Sequence, residues 1–226
     1  MNKRKVLAIN TSTAHAGVAL LENGVVLEEH LWLQGELRGV FRPYQNLLAS
    51  NVKGLLTSCK VSLEEILFLA VTVGPGSFTG VRSGLAFAKG LAFVYQIPVV
   101  PIQTLEALAW QSGPGVICPL IDARRGQLYW GVYQVTEAAL KEIIPSSVAD
   151  LEAIGKKIEN IPGLIFTGEP LGTRENFPPA FQEIKFAPRG TWCLRAQTVG
   201  ELGMIYYREG KRQKAEEVLP LYLRGI

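Results

Sequence analysis

Leu67-Phe68-Leu69-Ala70-Val71-Thr72-Val73-Gly74-Pro75-Gly76-Ser77-Phe78-Thr79-Gly80-Val81-Arg82 decides the fold. Its first half, Leu67–Val73, is a nearly unbroken apolar run bounded by turn residues, the pattern of a strand buried on both faces. Gly74–Gly80 is too rich in glycine to continue the strand. From Val81 to Tyr95 the apolar residues return at helical spacing, and Val99–Ile102 follows as a second strand. Strand, crossover helix and strand make a parallel βαβ unit.

Upstream, Val6–Ile9, Gly17–Leu21 and Val25–Leu33 read as three short strands, the last two joined through the hairpin signal Asn23-Gly24. The periodicity predicts a helix over Tyr44–Cys59, with Pro43 in its first turn, and Ser62-Leu63-Glu64-Glu65 reads as a capping box. Downstream, the spacing predicts helices over Thr104–Gln111, Ala149–Ile158 and Thr191–Arg208. Strands are expected at Val116–Ile121, Gln127–Val135, Ala139–Ile144 and Leu164–Gly168. The chain divides into an N-terminal lobe over 1–104 and a C-terminal lobe over 105–226, with the helix near 191–208 a candidate to pack back on the first lobe.

Composition excludes whole classes. The 226 residues carry 23 Lys+Arg against 20 Asp+Glu, 48% are apolar and the mean hydropathy is +0.18. Neither a disordered chain nor a dedicated nucleic-acid binder is built this way. The basic clusters Lys3-Arg4-Lys5, Arg124-Arg125 and Lys211-Arg212 with Lys214 read first as solvated charge, and the last two are candidates for RNA contact. Three widely spaced cysteines form no CxxC pair, and no apolar run is long enough to span a bilayer. A cytoplasmic protein with reduced thiols and no membrane association is expected.

The chemistry of common enzymes is missing. There are two histidines, His15 and His30, and two aspartates, Asp122 and Asp150. No HExxH metal motif exists. Ser77 lacks the G-x-S-x-G frame of a nucleophile elbow, because Pro75 stands two residues before it. The Gly74–Gly80 loop also fails both phosphate-loop fingerprints. What survives is a glycine-rich helix start whose amides favour an anion, and a tight turn without a ligand explains it equally well. In the helix that follows, Gly80, Gly84, Ala88 and Ala92 form a row of small side chains. Gly84 and Gly90 each cost about 1 kcal/mol relative to Ala. Either the protein's own sheet or a partner's helix can be the close neighbour that offsets it.

Gly74–Arg82 resembles the signature of the bacterial TsaB family, also called YeaZ. Val6–Thr13, Asp122–Trp130 and Pro220–Arg224 resemble its opening strand and loop, its second-half hairpin and its ending. The resemblance implies an α/β fold of the actin/sugar-kinase/Hsp70 (ASKHA) type, two lobes of mixed sheets with flanking helices. It implies a non-catalytic partner of a TsaD-type transferase, in a heterodimer that is joined by a TsaE-type ATPase and makes threonylcarbamoyladenosine beside the tRNA anticodon. By the same resemblance tRNA is met through the complex, ATP is used by the complex, and the chain holds no cofactor tightly, with an interface nucleotide as one option. The chain is expected to be no enzyme itself, to hold no metal, and to form a homodimer when alone.

The family's partner interface carries over to Tyr44, Leu47, Leu48, Asn51, Val52 and Leu55 on the first helix and to Gly80, Gly84, Ala88 and Ala92 on the second. The candidate anion or nucleotide loop comprises Asn10, Thr11, Ser12, Gly74, Gly76, Ser77, Thr79, Gly80 and Arg82. Two departures stand out. Asn10 occupies a position where the family usually has Asp, and Leu37–Arg42 replaces a His-Ser-Glu stretch. The competing readings are a stand-alone ATPase of the same fold and a glycoprotease-like hydrolase. Asn10, which cannot supply a negative Mg ligand, weighs against the first.

Overall fold

Five strands of the first compact unit form one mixed sheet in the order β3-β2-β1-β6-β7. They are β1 (Lys5–Asn10), β2 (His15–Glu22), β3 (Val25–Leu33), β6 (Ile66–Gly74) and β7 (Val99–Gln103), while β4 (Glu36–Leu37) and β5 (Val40–Phe41) pair with each other in a two-stranded sheet. The computed structural model describes residues 4–33, 36–37, 40–41, 44–171, 177, 181 and 184–224. Of the departure at Leu37–Arg42, residues Arg38, Gly39 and Arg42 lie outside these, as does Pro43.

β1 runs antiparallel to β2 and parallel to β6, and β6 runs parallel to β7. The β2–β3 turn places Asn23 and Gly24 at φ 53° and 85°, the left-handed pair a tight hairpin needs. α1 (Tyr44–Ser58) and α2 (Phe78–Tyr95) cover one face of this sheet through Leu48, Val52, Leu55, Leu85 and Ala88, which pack on Leu7, Ile9, Leu69 and Val71. The capping box at Ser62 forms, on a single 3-10 turn over Leu63–Glu65.

The opposite face is closed by α5 (Ala196–Arg208), which contacts β1, β2 and β7. Its glycines allow a close approach. A Cβ on Gly200 would stand 2.4 Å from Leu21 Cδ1, and one on Gly203 would stand 2.8 Å from Ala70 Cβ. Tyr207 stacks on Phe68 with centroids 4.6 Å apart. At the helix start Glu29 accepts from Arg195 Nε at 2.8 Å and from the Gln197 amide at 3.0 Å. Arg195–Leu221, which lie in the expected range of the second lobe and include the helix that was a candidate to pack back on the first, group with Met1–Gln103 in the first compact unit.

The second unit, Thr104–Leu194 with Tyr222–Ile226, repeats the topology. Its sheet runs β10-β9-β8-β11-β12, from β8 (Gly115–Arg124), β9 (Gln127–Val135), β10 (Leu140–Ala149), β11 (Leu164–Thr167) and β12 (Lys185–Phe186), with α3 (Thr104–Gln111) and α4 (Leu151–Ile158). β8 pairs antiparallel with β9 and parallel with β11. Trp130, Leu120, Ile154, Phe166 and Phe181 form its core.

Several expected boundaries move. The helix expected over Thr191–Arg208 starts only at Ala196. Before it, the backbone turns once over Arg189–Thr191, and the carbonyls of Thr191 and Cys193 accept from Gln111 Nε2 of α3 at 2.9 and 2.8 Å. Those carbonyls are therefore satisfied outside the helix. α4 starts after Asp150, whose side chain caps the Ala153 amide at 2.8 Å, so Ala149 ends β10 instead. α2 starts three residues early because Ser77 caps it, accepting from the Gly80 amide at 3.2 Å. Among the described residues no helix is long and apolar enough to cross a membrane.

Candidate functional site

The loop after β1 and the loop after β6 were the candidates for an anion cradle. The structure joins them to each other. Asn10 is fully buried. Its Nδ2 donates to Thr13 Oγ1 at 3.2 Å and to the His15 carbonyl at 3.0 Å. Its Oδ1 accepts from the Ser12 amide at 3.2 Å, from Ser12 Oγ at 2.9 Å and from Thr72 Oγ1 at 3.3 Å. Thr11 Oγ1 donates to the Gly80 carbonyl at 2.8 Å, and the Ser77 amide donates to the Ser12 carbonyl at 2.7 Å.

The glycines serve this closure. Gly76, at φ 153°, would place a Cβ 2.1 Å from the Ser12 carbonyl oxygen, and Gly84 would place one 2.1 Å from Thr11 Oγ1. Asn10, Thr11, Ser12, Gly74 and Gly80 are buried and Gly76 and Ser77 half-buried, so these residues meet as an internal lock and form no solvent-facing cradle. Thr79 and Arg82 alone of the predicted loop set are exposed, and the Arg82 guanidinium lies 3.8 Å from the centroid of the Phe78 ring. Asn10→Ala removes five hydrogen bonds at once and strands their buried partners. A loss of about 3 kcal/mol is expected, read as a fall in Tm on the order of 10 °C for a chain of this size.

The predicted interface residues require a similar correction. Leu48, Val52 and Leu55 on α1 are 0–3% exposed. On α2, Gly80, Gly84, Ala88 and Ala92 are also buried. All seven face the protein's own sheet or loops, because a helix this close to a sheet needs its small and apolar side turned inward. They cannot touch a partner without the fold opening. Tyr44 is the first residue of α1. Leu47 is half-buried, and Asn51 is spent locally, its Nδ2 on the Leu47 carbonyl at 2.7 Å and its Oδ1 at 3.1 Å from His30 Nδ1.

The outward face of α2 is the surface the sequence reading missed. Phe78, Arg82, Ala86, Gly90 and Val94 are all exposed and recur every four residues, and Phe93 flanks them. Phe93 and Val94 are each 70% exposed. A Cβ on Gly90 would meet nothing within 4 Å, so this glycine has no internal reason to be one. A shallow groove of about 570 Å³ runs beside this face, lined by Ala49, Lys53 and Leu56 of α1 and Phe87 and Leu91 of α2. The sequence signal was available: α2 is apolar nearly all round, and one sheet can cover only one side of it.

This outward face, together with the repeated topology, invites comparison with known proteins. Residues 38–197 match the family described as TsaD, tRNA N6-adenosine threonylcarbamoyltransferase. The tRNA threonylcarbamoyladenosine biosynthesis protein TsaB of Escherichia coli is 31% identical across 98% of this chain and 95% of its own length. The chain belongs to the TsaB family. TsaB of Bacillus subtilis is 36% identical over 62% of this chain, and that match spans 59% of the relative's length. A solved structure of YeaZ from Pseudomonas aeruginosa superposes with a TM-score of 0.82 over 99% of this chain and all of the other, at 28% identity. The ROK hexokinase of Thermus thermophilus, at 10% identity and a TM-score of 0.52, shares the fold alone. The architecture is of the ASKHA type: two mixed sheets, each flanked by helices.

Proposed function

We propose that this TsaB-family chain is a non-catalytic subunit that pairs with a TsaD-type transferase to make threonylcarbamoyladenosine in tRNA. The observation that carries the reading is the outward face of α2. Its exposed apolar side chains and a gap-making glycine in their row, Gly90, suit the close approach of a partner helix. The groove against α1 offers the flank on which a second partner helix would lie. Without the transferase, the same face would pair two copies of this chain.

The site chemistry is consistent with a supporting role. Ser77 Oγ is occupied in capping α2, and Asn10 is occupied in holding the loop lock, so neither is presented to a substrate. ATP consumption then falls to the partner subunits, including a TsaE-type ATPase, with any interface nucleotide held by them. The reading is tested by tRNA modification in a mixture of the transferase, the ATPase, the threonylcarbamoyl-adenylate synthase, tRNA, threonine, bicarbonate and ATP. Modification is expected only when this chain is added. Equal modification without it would overturn the reading.

A further inference from the structure

Arg124 and Arg125 are adjacent residues in the left-handed region, at φ 65° and 57°, and Gly126 follows at φ 71°. They form the tip of the β8–β9 hairpin, where Arg124 pairs with Gln127. The β2–β3 hairpin meets the same demand with Asn23 and Gly24, residues that tolerate this backbone. Arginine gains nothing locally from a positive φ. Strain of this kind persists where the rest of the structure holds it in place, and it clusters at functional sites.

The tip is held. Asp122 Oδ1 accepts from the Arg124 amide at 2.7 Å, and Asp122 Oδ2 lies 3.4 Å from Arg124 Nη1. A third guanidinium joins from the chain's end, since Arg224 Nη2 donates to Gln127 Oε1. Three arginines and one aspartate thus share the end of one hairpin. The second unit as a whole has nine basic and ten acidic residues, so this concentration is not the unit's average. The Arg124 side chain is 86% exposed. The basic cluster near Lys211 is exposed as well, and two of its side chains have local partners. Lys211 pairs with Glu209 at 2.8 Å and lies over Tyr206, and Arg212 lies over Tyr207.

We infer that the Arg124–Arg125 tip, with Arg224 beside it, contacts the phosphate backbone of the RNA substrate. A planar guanidinium fork matches two phosphate oxygens, and its charge makes the contact salt-dependent. The inference rests on the tRNA reading above, and it assigns this chain a direct part in holding the substrate.

Arg125→Asn gives the test, because asparagine suits the turn better than arginine does and the fold should keep or raise its Tm. The assembled complex, with wild-type chain, with the variant and without the chain, is titrated with unmodified tRNA at several salt concentrations. Complex assembly is followed in parallel by co-elution. The variant is expected to assemble normally, to bind tRNA about five- to tenfold more weakly at 0.1 M salt and to lower the salt slope by about one. Unchanged affinity and slope in an intact complex would overturn the inference, as would a wild-type chain that adds nothing to the affinity of its partners. Loss of assembly with unchanged tRNA affinity would also overturn it and assign the tip to an acidic protein surface. Modification that proceeds without the chain would instead sink the functional reading, an outcome read in a separate assay.

Discussion

Gly90→Leu is expected to leave the isolated chain folded, with a Tm at or above wild type, and to weaken pairing with the transferase at least about 100-fold. Two features carry this. A Cβ at 90 meets nothing within 4 Å beyond its own stretch of helix, so the substitution removes an exposed helical glycine that costs about 1 kcal/mol relative to alanine. The same side chain stands within the exposed row from Phe78 to Val94, one turn before its end, where a partner helix would have to approach closely. A 100-fold loss corresponds to about 2.7 kcal/mol, within the range of one interface hot spot. Co-elution with the transferase and a melting curve measure the two halves. If Gly90→Leu still co-elutes at wild-type affinity, the outward face of α2 is not the interface.

Gly84→Leu is expected to do the opposite: to damage the monomer before pairing can be tested. Its Cβ would stand 2.1 Å from Thr11 Oγ1 and within 3.4 Å of two further atoms of that buried threonine. Thr11 cannot yield freely, because its hydroxyl donates to the Gly80 carbonyl across the same gap. A cost of about 4 kcal/mol is expected, a large part of the stability of an ordinary domain. Denaturant unfolding measures it. Gly84→Ala should lose about half as much, and Thr11→Ala should recover part of that loss, since it removes the atom that clashes. A Gly84→Leu chain that unfolds at the wild-type midpoint would show that the lock between the two loops is not rigid.

These two glycines lie on one helix six residues apart, and they explain what the sequence can and cannot tell. The 3.6-residue period located α2, and the apolar run of β6 located an interior strand of the sheet, because burial writes both patterns directly into residue type. The orientation of α2 was not legible. Its inner row, Gly80 to Ala92, and its outer row, Phe78 to Val94, both have small residues in their middle, and periodicity alone cannot say which row meets the sheet. The loop lock was hidden for a different reason. Asn10, Thr72 and Gly80 are distant in sequence, and glycine-rich loops look alike whether they cradle a phosphate or another loop.

Strand ends were blurred where the backbone carries the pairing. β10 continues through Pro145, Ser146 and Ser147 with two register shifts against β9, a stretch with no alternation to read. The start of α5 was misplaced because Gln111, 80 residues away, takes the carbonyls that a longer helix would have used.

The chain order of the first unit has a consequence for how the molecule is made. Seven strands and two helices among the described residues of that unit leave the ribosome first, yet the helix that seals Ala8, Leu21, Phe68 and Ala70 comes from residues 196–208, after Thr104–Leu194 of the second unit has been synthesised. Through that interval the nascent sheet has one face packed by α1 and α2 and one face without its cover. The last seventh of the chain therefore acts as a closing clasp for the first half. A message cut short before codon 195 yields a polypeptide whose first unit keeps that face uncovered and whose second unit lacks Tyr222–Ile226.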